Sequence, residues 1–302
     1  MKERQTTLTP PLDERITIAP TASCQGCTEV LISRHAIDLL GQNTMVIVPP
    51  SCGAWAGLVR CATRMSLFPS SAAMAAGVAA GYGALGYKDV NVLVIAGDGG
   101  THDIGLQALS GAAERGDSFI WVCQNNEAYM NTGMQRSGAT PQWARTTTTP
   151  VGKVIKGKQT QGKDIISIME AHHLPYIARA SMAHLKDFKR KMLKARQVST
   201  IEKRGISYIE VLNTCPTGWD YPEELMITMA RLAVETGVWP LIEIEDGDFR
   251  LNLQPKQLKP VKEYIKLQGR FKHFSEEQIE AVQDQVAKNW AKVLKRANSG
   301  SD

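Results

Sequence analysis

The chain has 302 residues, with 35 Lys and Arg against 30 Asp and Glu, a net charge of +5. That length suits one large domain or two smaller ones and buries a full core without disulfide staples, and 43% hydrophobic with 22% charged residues excludes disorder. No run of about 18 apolar residues exists, which argues against a membrane-spanning helix, and residues 1–20 carry charges without the apolar centre of a secretory leader, so a cytoplasmic chain is expected.

Residues 1–20 are polar, contain prolines and read as an arm. Val30, Leu31, Ile37, Leu39 and Leu40 predict a helix over 28–40, and the β-branched run 45–48 predicts a strand stopped by Pro49 and Pro50. The Ala- and Gly-rich stretch 71–85 predicts a tightly packed helix. The continuous apolar run 92–95 predicts a buried strand, followed by a helix over 103–115 with Ile104, Leu106, Leu109 and Ala112 inward, and a strand over 119–122. The basic, Gly-containing stretch 151–162 reads as a loop. Helices are then expected at 164–171, 182–195 and 222–236, alternating with strands at 176–178, 207–212 and 239–244, and a final amphipathic helix at 276–296. Strands alternating with helices define an α/β fold, a mostly parallel sheet covered by helices on both faces. No internal repeat or linker divides it. The expected organisation is an arm over 1–20, one domain over 21–250 and a C-terminal extension over 251–302.

Positive charge gathers at 186–196 and 256–272. Both stretches read as solvated surface, with a docking face for an acidic electron carrier as the alternative. At 6% aromatic residues the chain lacks the interleaved rings of a nucleic-acid patch, so no nucleic-acid partner is expected.

The most informative segment is Val92-Leu-Val-Ile-Ala-Gly97-Asp98-Gly99-Gly100. A buried strand ends in glycines just before a helix, at the carboxyl end where open α/β sheets bind ligands. Glycines let backbone N–H groups approach a phosphate, and the helix start favours negative charge. Asp98 beside a phosphate is repulsive unless a cation lies between them. Mg²⁺ fits, because it takes oxygen ligands and bridges carboxylates and diphosphates. The next strand ends at Cys123, and the loop after it places Asn126 28 residues beyond Asp98. Its amide oxygen and the carbonyl of Ala128 are candidate second and third ligands. Gly-Asp-Gly-Gly alone is also compatible with an ordinary strand-to-helix turn; the paired loops at neighbouring strand ends are what distinguish the two.

The six cysteines are Cys24, Cys27, Cys52, Cys61, Cys123 and Cys215, and only the first two form a close pair. In a cytoplasmic chain they suggest metal or redox chemistry before disulfides. Cys123 ends an apolar strand and reads as a small buried hydrophobe.

GDG followed by an Asn at this distance resembles the thiamine diphosphate and Mg²⁺ motif of the thiamine-dependent enzymes. The strings GDGGTHDIGLQALSGAAERG, NNEAYMNTGMQRSGATP and TTTTPVGK, with Cys215-Pro-Thr-Gly-Trp219 and the stretch 233–247, resemble the β subunit of 2-oxoacid:ferredoxin oxidoreductases, in the pyruvate synthase branch, over about 24–246. The resemblance implies a thiamine diphosphate-binding fold. It implies Asp98, Asn126 and the Ala128 carbonyl as Mg²⁺ ligands, and Gly97, Gly99 and Gly100 as the diphosphate turn. Asn131 is implied as the catalytic group near the reactive end of the cofactor, with Thr132 and Gly133 shaping its loop. His102 reads as a solvent-side or helix-start residue, a diphosphate contact being the alternative. The same resemblance implies one 4Fe–4S cluster on Cys24, Cys27, Cys52 and Cys215, with Cys61 an alternative to Cys52. Four thiolates are what such a cluster needs. Structural zinc remains the alternative, although it usually takes two close pairs. A thioredoxin-like C-x-x-C would leave Cys52 and Cys215 unexplained.

The implied activity is oxidative decarboxylation of a 2-oxoacid, electrons leaving singly for the cluster and then ferredoxin, with coenzyme A taking the acyl group in much of the family. The glutamate that activates the thiamine belongs to a partner α subunit in this family. A hetero-oligomer with α, γ and δ-type subunits follows, with the arm and the last helix as expected contacts and with neither nucleic acid nor membrane as a partner. Two departures flank the cluster. The stretch 53–69 is shorter than in typical pyruvate enzymes, and Thr21-Ala-Ser23 stands where Gly-His is usual. Pyruvate is the first expected substrate. Oxalate or another 2-oxoacid is the alternative, because Arg60 and Arg64 either favour an acidic substrate or are ordinary surface arginines.

Overall fold

The structure is a computed structural model that describes residues 23–52 and 59–299; the expected arm lies outside them. The apolar runs become the middle of one sheet. Strands β1 (Thr44–Val48), β2 (Ala62–Met65), β3 (Asn91–Gly97), β4 (Ile120–Asn125), β5 (Tyr176–Ser181), β6 (Ser207–Leu212), β7 (Ile242–Glu245) and β8 (Asp248–Leu251) lie in the order β2-β1-β3-β4-β6-β5-β7-β8. Every residue of β4 and β6 is buried, as a strand covered on both faces requires. Side chains alternate between two cores. Leu93, Ile95 and Val122 pack with helices α1 (Thr28–Leu40) and, past β5, α5 (Leu185–Arg196); Val92, Val94, Ala96 and Trp121 pack with α2 (Ser71–Ala84), α3 (Leu106–Glu114) and α4 (Ile165–Ala171).

The first six strands run parallel, while β7 and β8 are antiparallel. This corrects the expectation that 239–244 continues the parallel series. Because β7 opposes β5, the connection after β6, with α6 (Pro216–Trp219) and α7 (Met226–Glu235), begins and ends at the carboxyl end of the sheet. The Asp246-Gly247 pair then closes a two-residue hairpin, with φ of 52° and 92°. Helices α8 (Val261–Ile265) and α9 (Glu276–Ser299) follow. They pack with Ala144 and Phe271 in a separate apolar cluster, and Arg296 of α9 pairs with Glu170 at 2.5 Å and lies over the Phe249 ring.

Two further expectations fail for physical reasons. The helix predicted from residue 103 begins earlier, as a π-helical turn over Gly99–Asp103, which rotates Ile104 outward to 48% exposure. The basic stretch 186–196 is not a solvated face. Lys191 is fully buried, donating to the Arg179 carbonyl at 2.8 Å and to Asp187 at 2.6 Å, while Arg190 and Lys194 pair with Glu243 and Glu245 of β7. No helix among the described residues is long and apolar enough to cross a membrane.

Candidate functional site

Neighbouring carboxyl ends of β1, β3, β4 and β6 build the site. Gly97 pairs in register with Gln124, which brings Asp98 against the loop that leaves β4. Asp98 is completely buried; its carboxylate accepts from Asn126 N at 3.3 Å and from the Ser137 hydroxyl. Burial pushes its carboxyl up to about 7, against the opposing pull of His102 and Ser137. A carboxylate held this way is stabilised by a cation.

The oxygens around it suit one. Asn126 Oδ1 lies 3.0 Å from Asp98 Oδ1 and 2.8 Å from the Ala128 carbonyl oxygen, so one amide oxygen faces two other acceptors. Turning the amide over would make its NH₂ donate to both. With the oxygen inward, these separations match adjacent ligands of an octahedral Mg²⁺, about 2.9 Å apart for bonds of about 2.05 Å. The donor set therefore fits Mg²⁺. Glu127, between the two loop ligands, adopts a left-handed φ of 64°, and this kink lets its neighbours face the same carboxylate.

Above this floor opens a cavity. Gly97, Gly99, Gly100, Asn126, Ala128, Asn131 and Thr132 line it, so most of the predicted cofactor set shares one space; Pro50, Ser51, Cys52, Phe68, Tyr129 and Met130 complete much of the wall. Gly133 is not on the wall; at φ 116° it shapes the turn, its N–H donating to the Met130 carbonyl at 3.1 Å. Gly99 is required by contact: an added Cβ would sit 2.4 Å from the Tyr129 ring, whose hydroxyl donates to the Gly99 carbonyl at 3.1 Å. A glycine-floored cavity with backbone N–H groups and an oxygen-lined metal position fits a diphosphate cofactor.

The thiols lie at the same end of the sheet. Cys27 caps α1 and its N–H donates to the Cys24 carbonyl at 3.2 Å. Thr28 Oγ1 donates to Asn213 Oδ1 at 2.9 Å, tying the start of α1 to the end of β6. Cys215 follows, capping α6 with Sγ accepting from Gly218 N at 3.3 Å. Cys52, after β1, lines the cavity itself. The four act on one another electrostatically. Burial first, then Glu29 and Cys215, push the Cys52 thiol up to about 12, and burial with Cys24 and Glu29 pushes Cys215 up to about 11. Burial, Glu29, Cys215 and Cys52 also raise Cys27. Thiols raised this way stay protonated unless a cation takes the place of their protons. No three His, Cys, Asp or Glu side chains among the described residues converge to hold one metal ion. Cys61 packs on the α1 core, and the groups acting on its thiol are Thr63 and Asp38. Cys123 is fully buried in the core.

His102 is neither solvent-side nor on the cavity wall. It is 1% exposed, with Nε2 3.4 Å from Glu210 Oε1. Glu210 is the reason: this buried carboxylate gathers Arg179 at 2.9 Å and Asn125 at 2.8 Å as well. Sequence reasoning also missed Trp219, whose indole N–H donates to the Asn126 carbonyl at 2.9 Å, and Arg270, which pairs with Glu127. No local signal marks either one, since both contacts span distant parts of the chain.

Residues 51–211, from the Cys52 loop through most of β6, match the family described as thiamine pyrophosphate enzyme, C-terminal TPP binding domain. The fold agrees with a solved 2-oxoglutarate:ferredoxin oxidoreductase from Magnetococcus marinus, at a TM-score of 0.60 and 19% identity over 89% of this chain and 94% of that one. Pyruvate synthase subunit PorB of Methanothermobacter thermautotrophicus is 45% identical over 87% of this chain and 92% of its own length. Ketoisovalerate oxidoreductase subunit VorB of Pyrococcus horikoshii is 42% identical over 96% of each. The chain belongs to the thiamine pyrophosphate enzymes, among the β subunits of the 2-oxoacid:ferredoxin oxidoreductases.

Proposed function

We propose that this chain is the β subunit of a cytoplasmic complex that oxidatively decarboxylates a 2-oxoacid, pyruvate first, with coenzyme A as acyl acceptor and ferredoxin as electron acceptor. It would bind thiamine diphosphate through Mg²⁺ on Asp98, Asn126 and the Ala128 carbonyl, and a 4Fe–4S cluster through Cys24, Cys27, Cys52 and Cys215. α, γ and δ-type subunits would complete the complex. The domain over 21–250 would carry both sites. The observation that carries this reading is the three-oxygen cluster at the floor of a cavity whose wall includes Cys52.

When bound, the thiamine supplies an electron sink for the electron pair left when carbon dioxide departs, and the cluster accepts electrons one at a time. The chain's own residues do the rest. The buried Asp98 carboxylate and its two companions would hold the cation, and the backbone N–H groups of the turn at Gly99 and Gly100 would meet the diphosphate. Asn131, on the cavity wall, is assigned to the reacting end. Phe68, Tyr129 and Met130 make part of the wall apolar, which excludes water and favours a small aliphatic 2-oxoacid. The same wall supports a second reading, a branched 2-oxoacid such as ketoisovalerate. Arg60 and Arg64 are exposed and, among the described residues, off the wall, so neither arginine supports an acidic substrate such as oxalate.

The test is acceptor reduction by the anaerobically purified complex with pyruvate, ketoisovalerate, 2-oxoglutarate, oxalate and aromatic 2-oxoacids, each with and without coenzyme A. Reduction that needs a 2-oxoacid, thiamine diphosphate and Mg²⁺ is expected, with pyruvate fastest. No reduction with any of them would contradict the reading.

A further inference from the structure

A buried guanidinium sits where the two halves of the site meet. Arg270, 2% exposed, lies in the short turn Gly269–Phe271, far along the chain from every residue assigned to the cavity. Its guanidinium stacks on Trp219 with the central carbon 3.9 Å from the ring centre. Its Nη2 is 2.5 Å from Glu127 Oε2, and its Nε donates to Gln268 Oε1 at 2.8 Å. Gly269 allows the approach: an added Cβ would meet the Asp220 carboxylate at 1.9 Å, and its N–H donates to the Asp220 carbonyl at 2.9 Å.

Each partner of Arg270 belongs to a different half. Glu127 separates Asn126 from Ala128, and its left-handed kink is a strained conformation that other contacts must offset. Those contacts are the hydrogen bonds from its N–H to Asn125 Oδ1 at 3.0 Å and from Thr140 Oγ1 to its carbonyl at 2.5 Å, and the ion pair with Arg270. Trp219 ends α6, which Cys215 caps, and its indole N–H reaches the Asn126 carbonyl. A planar cation can stack and pair at once, which an ammonium cannot do. Removing it would leave the buried Glu127 carboxylate uncompensated beside two of the proposed ligand oxygens.

We propose that Arg270 is a positioning residue: paired with Glu127 and stacked on Trp219, it holds the loop of Asn126 and Ala128 and the turn of Cys215 in one register. Metal affinity on one side and the charge felt by the thiols on the other then depend on a single side chain. This rests on the function proposed above and adds a residue that touches neither cofactor.

The test uses the complex purified with its partner subunits, carrying Arg270→Met, Arg270→Lys or Trp219→Phe. Calorimetry measures Mg²⁺ binding with saturating thiamine diphosphate, and redox titration followed by electron paramagnetic resonance measures the cluster midpoint. Arg270→Met is expected to weaken Mg²⁺ binding by about 10-fold or more and to shift the midpoint to more negative potential. Arg270→Lys keeps the charge, so its midpoint stays near the wild-type value while Mg²⁺ binding stays weakened. Trp219→Phe keeps an aromatic face for the guanidinium but loses the indole N–H with its five-membered ring, so it weakens Mg²⁺ binding by roughly 3-fold; it decides the matter if Arg270→Met does not assemble. Wild-type Mg²⁺ binding in Trp219→Phe, or in an assembled Arg270→Met with an unshifted midpoint, would overturn the proposal while leaving the function standing. A wild-type complex that binds no thiamine diphosphate with Mg²⁺ would overturn the function and this proposal with it.

Discussion

Glu210 shows how a single buried charge is tolerated in the middle of a sheet. Burial alone would raise its carboxyl, but Arg179, His102 and Asn125 together outweigh that and hold it at about 2. The ordinary value is 4.5, so the unfolded chain binds more protons than the folded one between these two values. Stability from this group is therefore complete above about pH 4.5 and is lost as pH falls through about 2, a contribution of about 3 kcal/mol. Glu210→Gln should lower stability near pH 7 by about 3 kcal/mol and flatten the acid limb over that window, as urea unfolding between pH 2 and 7 would show. An unchanged acid limb would mean the network is neutral. The residue was legible only as part of an apolar strand: Ser207-Tyr-Ile-Glu-Val-Leu212 announces a strand, and nothing in it says that the glutamate faces a histidine from the π-helical turn at Gly99–Asp103.

Among the elements, periodic segments are legible in the sequence, and segments whose geometry overrides the local pattern are not. Helix α1, strand β6 and helix α9 begin where predicted, because apolar spacing and a β-branched run fix them locally. The π-turn at Gly99–Asp103 was not legible, because it depends on Gly105: a Cβ there would lie 2.0 Å from the Gly100 carbonyl oxygen. Gly105→Ala should force the turn open, costing about 3 kcal/mol and weakening thiamine diphosphate binding, measurable as a lowered melting temperature and by calorimetry. A variant as stable as the wild type would show that the turn relaxes freely. The edge strand β2 is short and mostly exposed, with Thr63 and Arg64 in its middle, so it carried no apolar pattern to read. The β7–β8 hairpin had its Asp-Gly signal in plain view, but the preceding alternation of strands and helices pointed to a parallel end instead.

Across the whole molecule, the site is assembled from segments that only the fold brings together. The motifs at 97–100 and 126–133 were readable because each follows a strand, and parallel pairing of β3 with β4 makes them neighbours. The grouping of Cys24, Cys27, Cys52 and Cys215 came from a resemblance, since single-sequence spacing offers one pair and two distant singles. Arg270 was invisible, because its meaning lies in contacts with Glu127 and Trp219 rather than in its own surroundings. What unites these parts is the claim that one polypeptide holds a Mg²⁺-anchored diphosphate beside a cage of four thiolates. Diffraction at the iron edge from anaerobically grown crystals of the complex tests that most directly. Iron density enclosed by the sulfurs of Cys24, Cys27, Cys52 and Cys215 is expected, next to the cavity lined by Asn126 and Ala128. Absence of iron there, or iron held instead through Cys61, would contradict the claim.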